Sequence, residues 1–216
     1  MTGTAAPVDK TAIRDAATLI AVRDRTSADP KVLMGQRGAR AAFMPNKFVF
    51  PGGAMDRGDR DIPLRHALPQ PCRDRLCADG GAEIWQALCI AAVRELWEET
   101  GLILGQPGQW HDPVPADWRD YAATGHVPDA SPLTFVFRAL TPPGRPRRFD
   151  ARFFLLDAEA LVGDLDDFSR ASDELSHLQW IPLSKVRSFD LPFITEVVLA
   201  EVTANLRSGT RPPSTP

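Results

Sequence analysis

The chain has 216 residues, 44% of them hydrophobic, enough to bury a core as one domain with additions or at most two small ones. Its 25 Lys and Arg against 28 Asp and Glu leave a net charge of -3, which excludes the global basic field that draws proteins to nucleic acid, so any anion site must be local. No apolar run approaches the length of a membrane span, the first ten residues carry no signal-peptide core, and Cys72, Cys77 and Cys89 suit reduced thiols, so a cytoplasmic protein with no membrane partner is expected.

From Ala16 the sequence reads as a strand, and residues 31–37, KVLMGQR, as a second; Ser27, Asp29 and Pro30 supply the turn of a hairpin between them. FVFPGG (48–53) is an extended piece stopped by Pro51, after which Gly52 and Gly53 free the backbone. Residues 60–82 are rich in Pro, Arg and Asp without a sustained period and read as an inserted loop or short helical excursion. His66, Cys72 and Cys77 within it form at most a partial zinc set, lacking a fourth ligand. Residues 82–100 contain no proline or glycine and repeat apolar residues at near-helical spacing, with Gly101 placed to end the helix.

Further along, HDPVPADWRD is loop-like or briefly helical, 132–140 is a strand, TPPGRPRRFD is a basic connector, and RFFLLDA and SHLQWIPL are strands. Asp190 is the expected N-cap of a final helix, with Pro192 in its first turn. The expected organisation is a flexible start (1–12), one domain (13–207) and a flexible tail (208–216). Strands mixed with two or three helices predict a layered α/β (α+β) fold. Trp85, Trp97, Trp180 and Cys89 are expected in or against the core, and His111, His126 and His177 at the surface.

The stretch RELWEETG (94–101) crowds Glu95, Glu98 and Glu99 onto one helical face, Glu98 about 60° to one side of Glu95 and Glu99 about 40° to the other. Their mutual repulsion, and the negative end of the helix dipole, oppose helix stability by a few tenths of a kcal/mol per pair and about 0.3–1 kcal/mol respectively. A solvated acidic face is one reading. The other is a hard divalent cation, which prefers such carboxylates and would cancel the repulsion, with the FPGG turn bringing backbone groups close.

These residues resemble the Nudix hydrolase signature. Arg94, Glu95, Leu96, Glu98, Glu99, Gly101 and Leu102 match its second half at every defined position; Gly53 and, directly after the five residues AMDRG, Asp59 match its first half with Asp in place of Glu. Between Asp59 and Arg94 lie 34 residues where the signature has seven, a spacer similar to that of the peroxisomal coenzyme A diphosphatase branch, as are RPRRFDARFF, SDELSHLQW and LPFITEVVLAEV. A second register, Gly80 with Gln86, keeps the spacing but loses the acid.

The resemblance implies a mixed β-sheet sandwiched between helices, and hydrolysis of a diphosphate linked to a nucleoside with Mg²⁺ or Mn²⁺ as cofactor. It implies Glu95, Glu98, Glu99 and the Gly53 carbonyl as metal ligands, and Arg94 orienting a glutamate. The general base is left open among Glu95, Glu98 and Glu174, and Asp59 is expected to support the ligands from behind. Arg37, Arg40, Arg148 and Arg152 are candidate substrate-binding residues; the alternative is a solvated connector, with Phe149 and Phe153 turned into the core. Asn46 stands where the coenzyme A branch carries glycine before FPGG. A small-molecule nucleotide is the expected partner, and a homodimer is left open.

Overall fold

The structure is a computed structural model that describes residues 12–41, 43–110, 113–145 and 147–208. His111 and most of the two termini expected to be flexible lie outside the described residues. In chain order the strands are β1 (Ile13–Arg23), β2 (Lys31–Arg37), β3 (Phe48–Val49), β4 (Gly52–Ala54), β5 (Gly105–Pro107), β6 (His126–Pro128), β7 (Thr134–Leu140), β8 (Arg148–Asp157) and β9 (Leu175–Pro182). The α-helices are α1 (Gln70–Leu76), α2 (Trp85–Thr100), α3 (Arg119–Ala123) and α4 (Phe193–Ser208).

One mixed sheet organises the molecule. β1 runs parallel to β8 for ten residue pairs and is buried on both faces, as its run of apolar residues requires. β1 and β2 pair antiparallel only at Val22↔Val32 and Arg23↔Lys31, then part. The gap between them is filled from the middle: β3 lies beside β2, β4 lies beside β1, and Pro51 between them accepts the Leu19 N–H. That split carries Gly52 and Gly53 to the centre of the sheet.

Each face of the sheet is closed by a helix. α2 covers Ala17, Leu19, Ala21, Leu33, Phe154 and Leu156; Val198, Leu199 and Val202 of α4 cover Ile20, Val22, Val32, Met34, Phe153 and Leu155. Alternation along β1, β2 and β8 produces this division, and it realises the expected sandwich. Full burial of Leu88, Ile90 and Leu96 contributes about 1.5–3 kcal/mol per side chain towards holding α2 in place. α2 ends as expected: Gly101 adopts φ +76° and donates its N–H to the Trp97 carbonyl. Among the described residues no single helix is long and apolar enough to cross a membrane.

Several elements differ from the sequence reading. The 60–82 segment holds the short helix α1, the helical excursion of the two readings, but Ile62, Leu68, Cys72 and Leu76 are buried in the same core as α2. Arg73 stacks over Trp85 and Arg75 over Phe135. The basic connector already becomes β8 at Arg148. Asp190 is not the N-cap of α4: its carboxylate pairs with Lys47 and its carbonyl accepts the Phe48 N–H, while Pro192 takes the N–H groups of Thr195 and Glu196. The short antiparallel β5–β6 pair was not foreseen; α3 beneath it begins at the end of HDPVPADWRD, where a brief helix is one of the two readings, and its Tyr121 donates to the Leu104 carbonyl.

Candidate active site

α2 carries RELWEETG directly beneath the glycines delivered by β4. The Gly52 N–H donates to Glu99 Oε2 at 2.7 Å. A Cβ on Gly53 would overlap the Glu95 carboxylate, so only glycine lets strand and carboxylate approach this closely. The FPGG turn and the acidic helix therefore meet through their backbone and carboxyl groups.

Arg94 ties the site together. It donates through Nε and Nη2 to the two oxygens of Asp59 at 3.0 and 3.2 Å, through Nη2 to the Ala54 carbonyl at 2.9 Å, and through Nη1 to Glu95 at 2.9 Å and Glu98 at 3.1 Å. Asp59 is 1% exposed and also accepts the Asp56 N–H at 2.8 Å. The bidentate pair explains how Asp can stand where the signature has Glu: a short 3₁₀ turn at Arg57–Asp61 brings the main chain in by enough to reach the guanidinium. Asp59 thus lies against Arg94, and the fold brings Gly53, Asp59 and Arg94 together. In the other register, Gln86 is occupied with the Ile62 carbonyl.

Three carboxylates converge: Glu95, Glu99 and Glu174 each place an oxygen within 4.8 Å of the others. Burial pushes the Glu95 carboxyl up to about 7, although Arg94 beside it works in the other direction. Burial, reinforced by the charge of Glu95, holds Glu99 well above the ordinary carboxylate range despite the Gly52 N–H bond. Glu98 is raised as well, chiefly by burial. Clustered, partly buried carboxylates that resist ionisation are the donor set a hard divalent cation satisfies. The residues present therefore fit Mg²⁺ or Mn²⁺.

The grouping differs from the expected ligand set in one respect. Glu98 is 41% exposed in its side chain and engaged by Arg94, outside the three-oxygen group; Glu174, from the loop before β9, takes the third corner. Arg37 lies close enough for its charge to favour ionised Glu99, and its buried Nε has no protein partner. Arg40 is exposed in the following loop. Arg148 donates to the Thr141 carbonyl at the end of the β7–β8 hairpin.

Arg152 corrects the expectation of a substrate contact. It is 1% exposed, turned inward by the alternation of β8, and paired with Asp15 at 2.5 Å and Asp150 at 3.2 Å. Phe153 is core, and Phe149 packs edge-on against Phe43. His66 pairs with the buried Asp129 at 3.2 Å, away from any cysteine partnership. Ala54 and Asp56, which hold Arg94 and Asp59 in place, carried no sequence signal beyond their place in the glycine turn.

No family model matches the chain. It is 30% identical over 180 residues to a putative nudix hydrolase 7 of Caenorhabditis elegans, an alignment covering 78% of this chain and 51% of that protein. It is 29% identical over 181 residues to the acyl-coenzyme A diphosphatase NUDT19 of Gallus gallus, covering 59% of this chain and 48% of that one. The chain spans about half the length of the curated relatives it matches. A crystal structure of a Nudix hydrolase from Alicyclobacillus acidocaldarius superposes with a TM-score of 0.63 at 28% identity, covering 90% of this chain and 92% of that one. With RELWEETG seated under the glycine turn and likeness over nearly the full length of a solved relative, the chain belongs to the Nudix superfamily.

Proposed function

We propose that this protein is a divalent-metal-dependent diphosphatase acting on coenzyme A, acyl-coenzyme A or a related nucleoside diphosphate conjugate. The observation that carries the reading is the convergence of Glu95, Glu99 and Glu174 within 4.8 Å, braced by Arg94. Glu95, Glu99 and Glu174 would hold Mg²⁺ or Mn²⁺, and the bound cation would supply Lewis-acid stabilisation of the diphosphate and acidify water. Arg94 keeps Glu95 and Glu98 fixed, and Asp59 keeps Arg94 fixed. The half-exposed Glu98, or Glu174, would accept the proton that an attacking water gives up. One P–O bond of the diphosphate breaks, water supplies the oxygen, and two phosphomonoesters leave. Arg37, whose charge reaches Glu99, is the candidate cation for a phosphate oxygen of the substrate.

The likeness to a protein named an acyl-coenzyme A diphosphatase supports the coenzyme A class, and the backbone of the loop before FPGG is compatible with it. Asn46 adopts φ +61°, a left-handed conformation that Gly and Asn share more readily than other residues. Asn in place of the branch's glycine thus preserves the loop's course. The test is product analysis on coenzyme A, acetyl-coenzyme A, ADP-ribose, NADH and dinucleoside polyphosphates with Mg²⁺ or Mn²⁺, for wild type and Glu99→Gln. Adenosine 3′,5′-bisphosphate and phosphopantetheine from coenzyme A, lost in the variant, is the expected result. Preferred turnover of ADP-ribose or a dinucleotide would reassign the substrate, and tight nucleotide binding without turnover of any of them would make the chain a binding module.

A further inference from the structure

β9 does not run unbroken to the site. Lys31, Val32, Leu33 and Met34 pair one for one with Pro182, Ile181, Trp180 and Gln179; pairing resumes with Gln36 opposite Ser176 and Arg37 opposite Leu175. Gly35 alone therefore faces His177 and Leu178, the two-against-one count of a β-bulge. His177 is in the left-handed region at φ +53°, at the bulge position where glycine is usual.

The bulge changes which way the end of β9 faces. Leu175 and Trp180 are five positions apart, a spacing that sends two side chains to opposite faces of an unbroken strand. Here both lie on the α2 face. Trp180 packs against the α2-side core, and a Cβ on Gly35, directed to the same face as Leu33, would stand 2.9 Å from both Leu175 Cβ and Leu178 Cδ2. Leu175 is 4% exposed, and the next residue towards the site is Glu174.

We propose that the bulge formed by Gly35, His177 and Leu178 is the device that brings Glu174 to the carboxylates of α2, which makes Gly35 and His177 positioning residues for the metal site. The proposal rests on the reading of Glu174 as a ligand. Without the extra residue Leu175 would turn to the α4 face and the chain carrying Glu174 would leave the strand on a different course. Any side chain at position 35 would meet Leu175 at its Cβ, an atom that moves only with the main chain, and so would displace its neighbour Glu174. Ser176, whose hydroxyl donates to the Gln36 carbonyl at 3.1 Å, fastens the strand on the site side of the bulge.

The experiment is Mn²⁺ binding to the full chain, read from the electron paramagnetic resonance signal of free Mn²⁺, with melting temperatures taken alongside. Glu174→Gln should weaken binding roughly tenfold, and His177→Val, whose β-branched side chain resists a positive φ, should weaken it by about the same factor, the scale seen when residues that orient a metal ligand are changed. The double variant should bind no worse than Glu174→Gln alone, because both changes remove one ligand. His177→Gly should keep the affinity within about twofold and melt higher, since glycine takes the left-handed conformation without strain. Should His177→Val not fold, Gly35→Ala is read in the same way.

Loss of affinity in Glu174→Gln with none in His177→Val or Gly35→Ala would overturn the positioning role alone. Additive losses in the double variant would overturn it too. Unchanged affinity in Glu174→Gln would remove Glu174 from the ligand set, and the proposal with it.

Discussion

Two networks of charge, each with a buried arginine at its centre, lie on the α2 side of the sheet, and they behave oppositely. In one, Arg138 and Arg152 face Asp15, Asp79 and Asp150. There the hydrogen bond from Arg138, more than any other influence, holds the Asp150 carboxyl below its ordinary range. In the other, Arg94 and the more distant Arg37 face Asp59, Glu95, Glu98, Glu99 and Glu174, and burial drives Glu95, Glu98 and Glu99 upward instead. A network built for architecture satisfies its carboxylates with guanidinium. A network that leaves them short of positive charge, beside a glycine turn, has room for a cation from outside. The balance of charge separates the two, and so does the direction of shift, downward at Asp150 and upward at Glu95, Glu98 and Glu99.

The sharpest way to break this contrast is to neutralise one member on each side. Glu99→Gln should cut metal-dependent turnover by about 10²- to 10³-fold, the scale for removing one preorganised stabilising group, while raising the melting temperature of the metal-free protein, because a buried carboxylate with too few partners is gone. Arg152→Met should do the reverse. It takes one cation from Asp15 and leaves Asp150 with Arg138 alone, and should cost about 1–3 kcal/mol of stability in denaturant melts, with Mn²⁺ affinity of the folded fraction nearly unchanged. If Arg152→Met abolished Mn²⁺ binding and left stability intact, the architectural assignment of that network would be wrong.

A pH series sharpens the same comparison. Glu95 ordinarily ionises near 4.5 and is raised to about 7 in the fold, so the folded state holds its proton more tightly. The stabilisation this gives is fully present below 4.5 and is lost as pH rises through 7, a change on the order of 3 kcal/mol at most for this one group. Metal-free protein should therefore lose stability between pH 4.5 and 7 in chemical melts, and saturating Mn²⁺ should flatten or reverse that slope by binding the ionised form. A metal-free profile that rises over this window would contradict the undercharged character of the site.

Much of the second network was readable in the sequence because helical geometry is local. RELWEETG fixes three glutamates on one face of α2 by spacing alone, and the absence of proline and glycine from Trp85 to Thr100 makes that helix hard to miss. What escaped depended on partners far along the chain. Arg152 looks like a free basic residue because it stands where the basic connector meets the strand RFFLLDA, and nothing local shows that both faces of that strand are buried or that Asp15, 137 residues away, is its partner. Asp190 has the chemistry of a helix cap, yet Lys47 claims its carboxylate from 143 residues away. The buried apolar residues of the 60–82 segment follow no period, since prolines and short turns rather than one element set their spacing. Asp59 was legible only as a departure from a pattern; its pairing with Arg94 over 35 positions supplies the reason that Asp suffices.

The smallest expected effect falls on the loop that leads into the glycine turn. Asn46 holds φ +61° while its N–H donates to the Arg37 carbonyl and its own carbonyl accepts from the Gln36 side chain. None of these bonds uses the Asn46 side chain, so what the position demands is a backbone conformation. Asn46→Gly should then be neutral to within about 0.5 kcal/mol, its easy access to positive φ set against the freedom it adds to the unfolded chain. Asn46→Ala should cost about 1–2 kcal/mol, the price of a left-handed residue with a Cβ and no local compensation. Because the Arg37 carbonyl accepts the Asn46 N–H and the Arg37 N–H donates to the Lys47 carbonyl, Asn46→Ala should also raise KM for the diphosphate substrate more than it lowers kcat, whereas Asn46→Gly should leave both alone. Equal stability for the two variants would mean that the asparagine side chain, and not the backbone, is what this position selects.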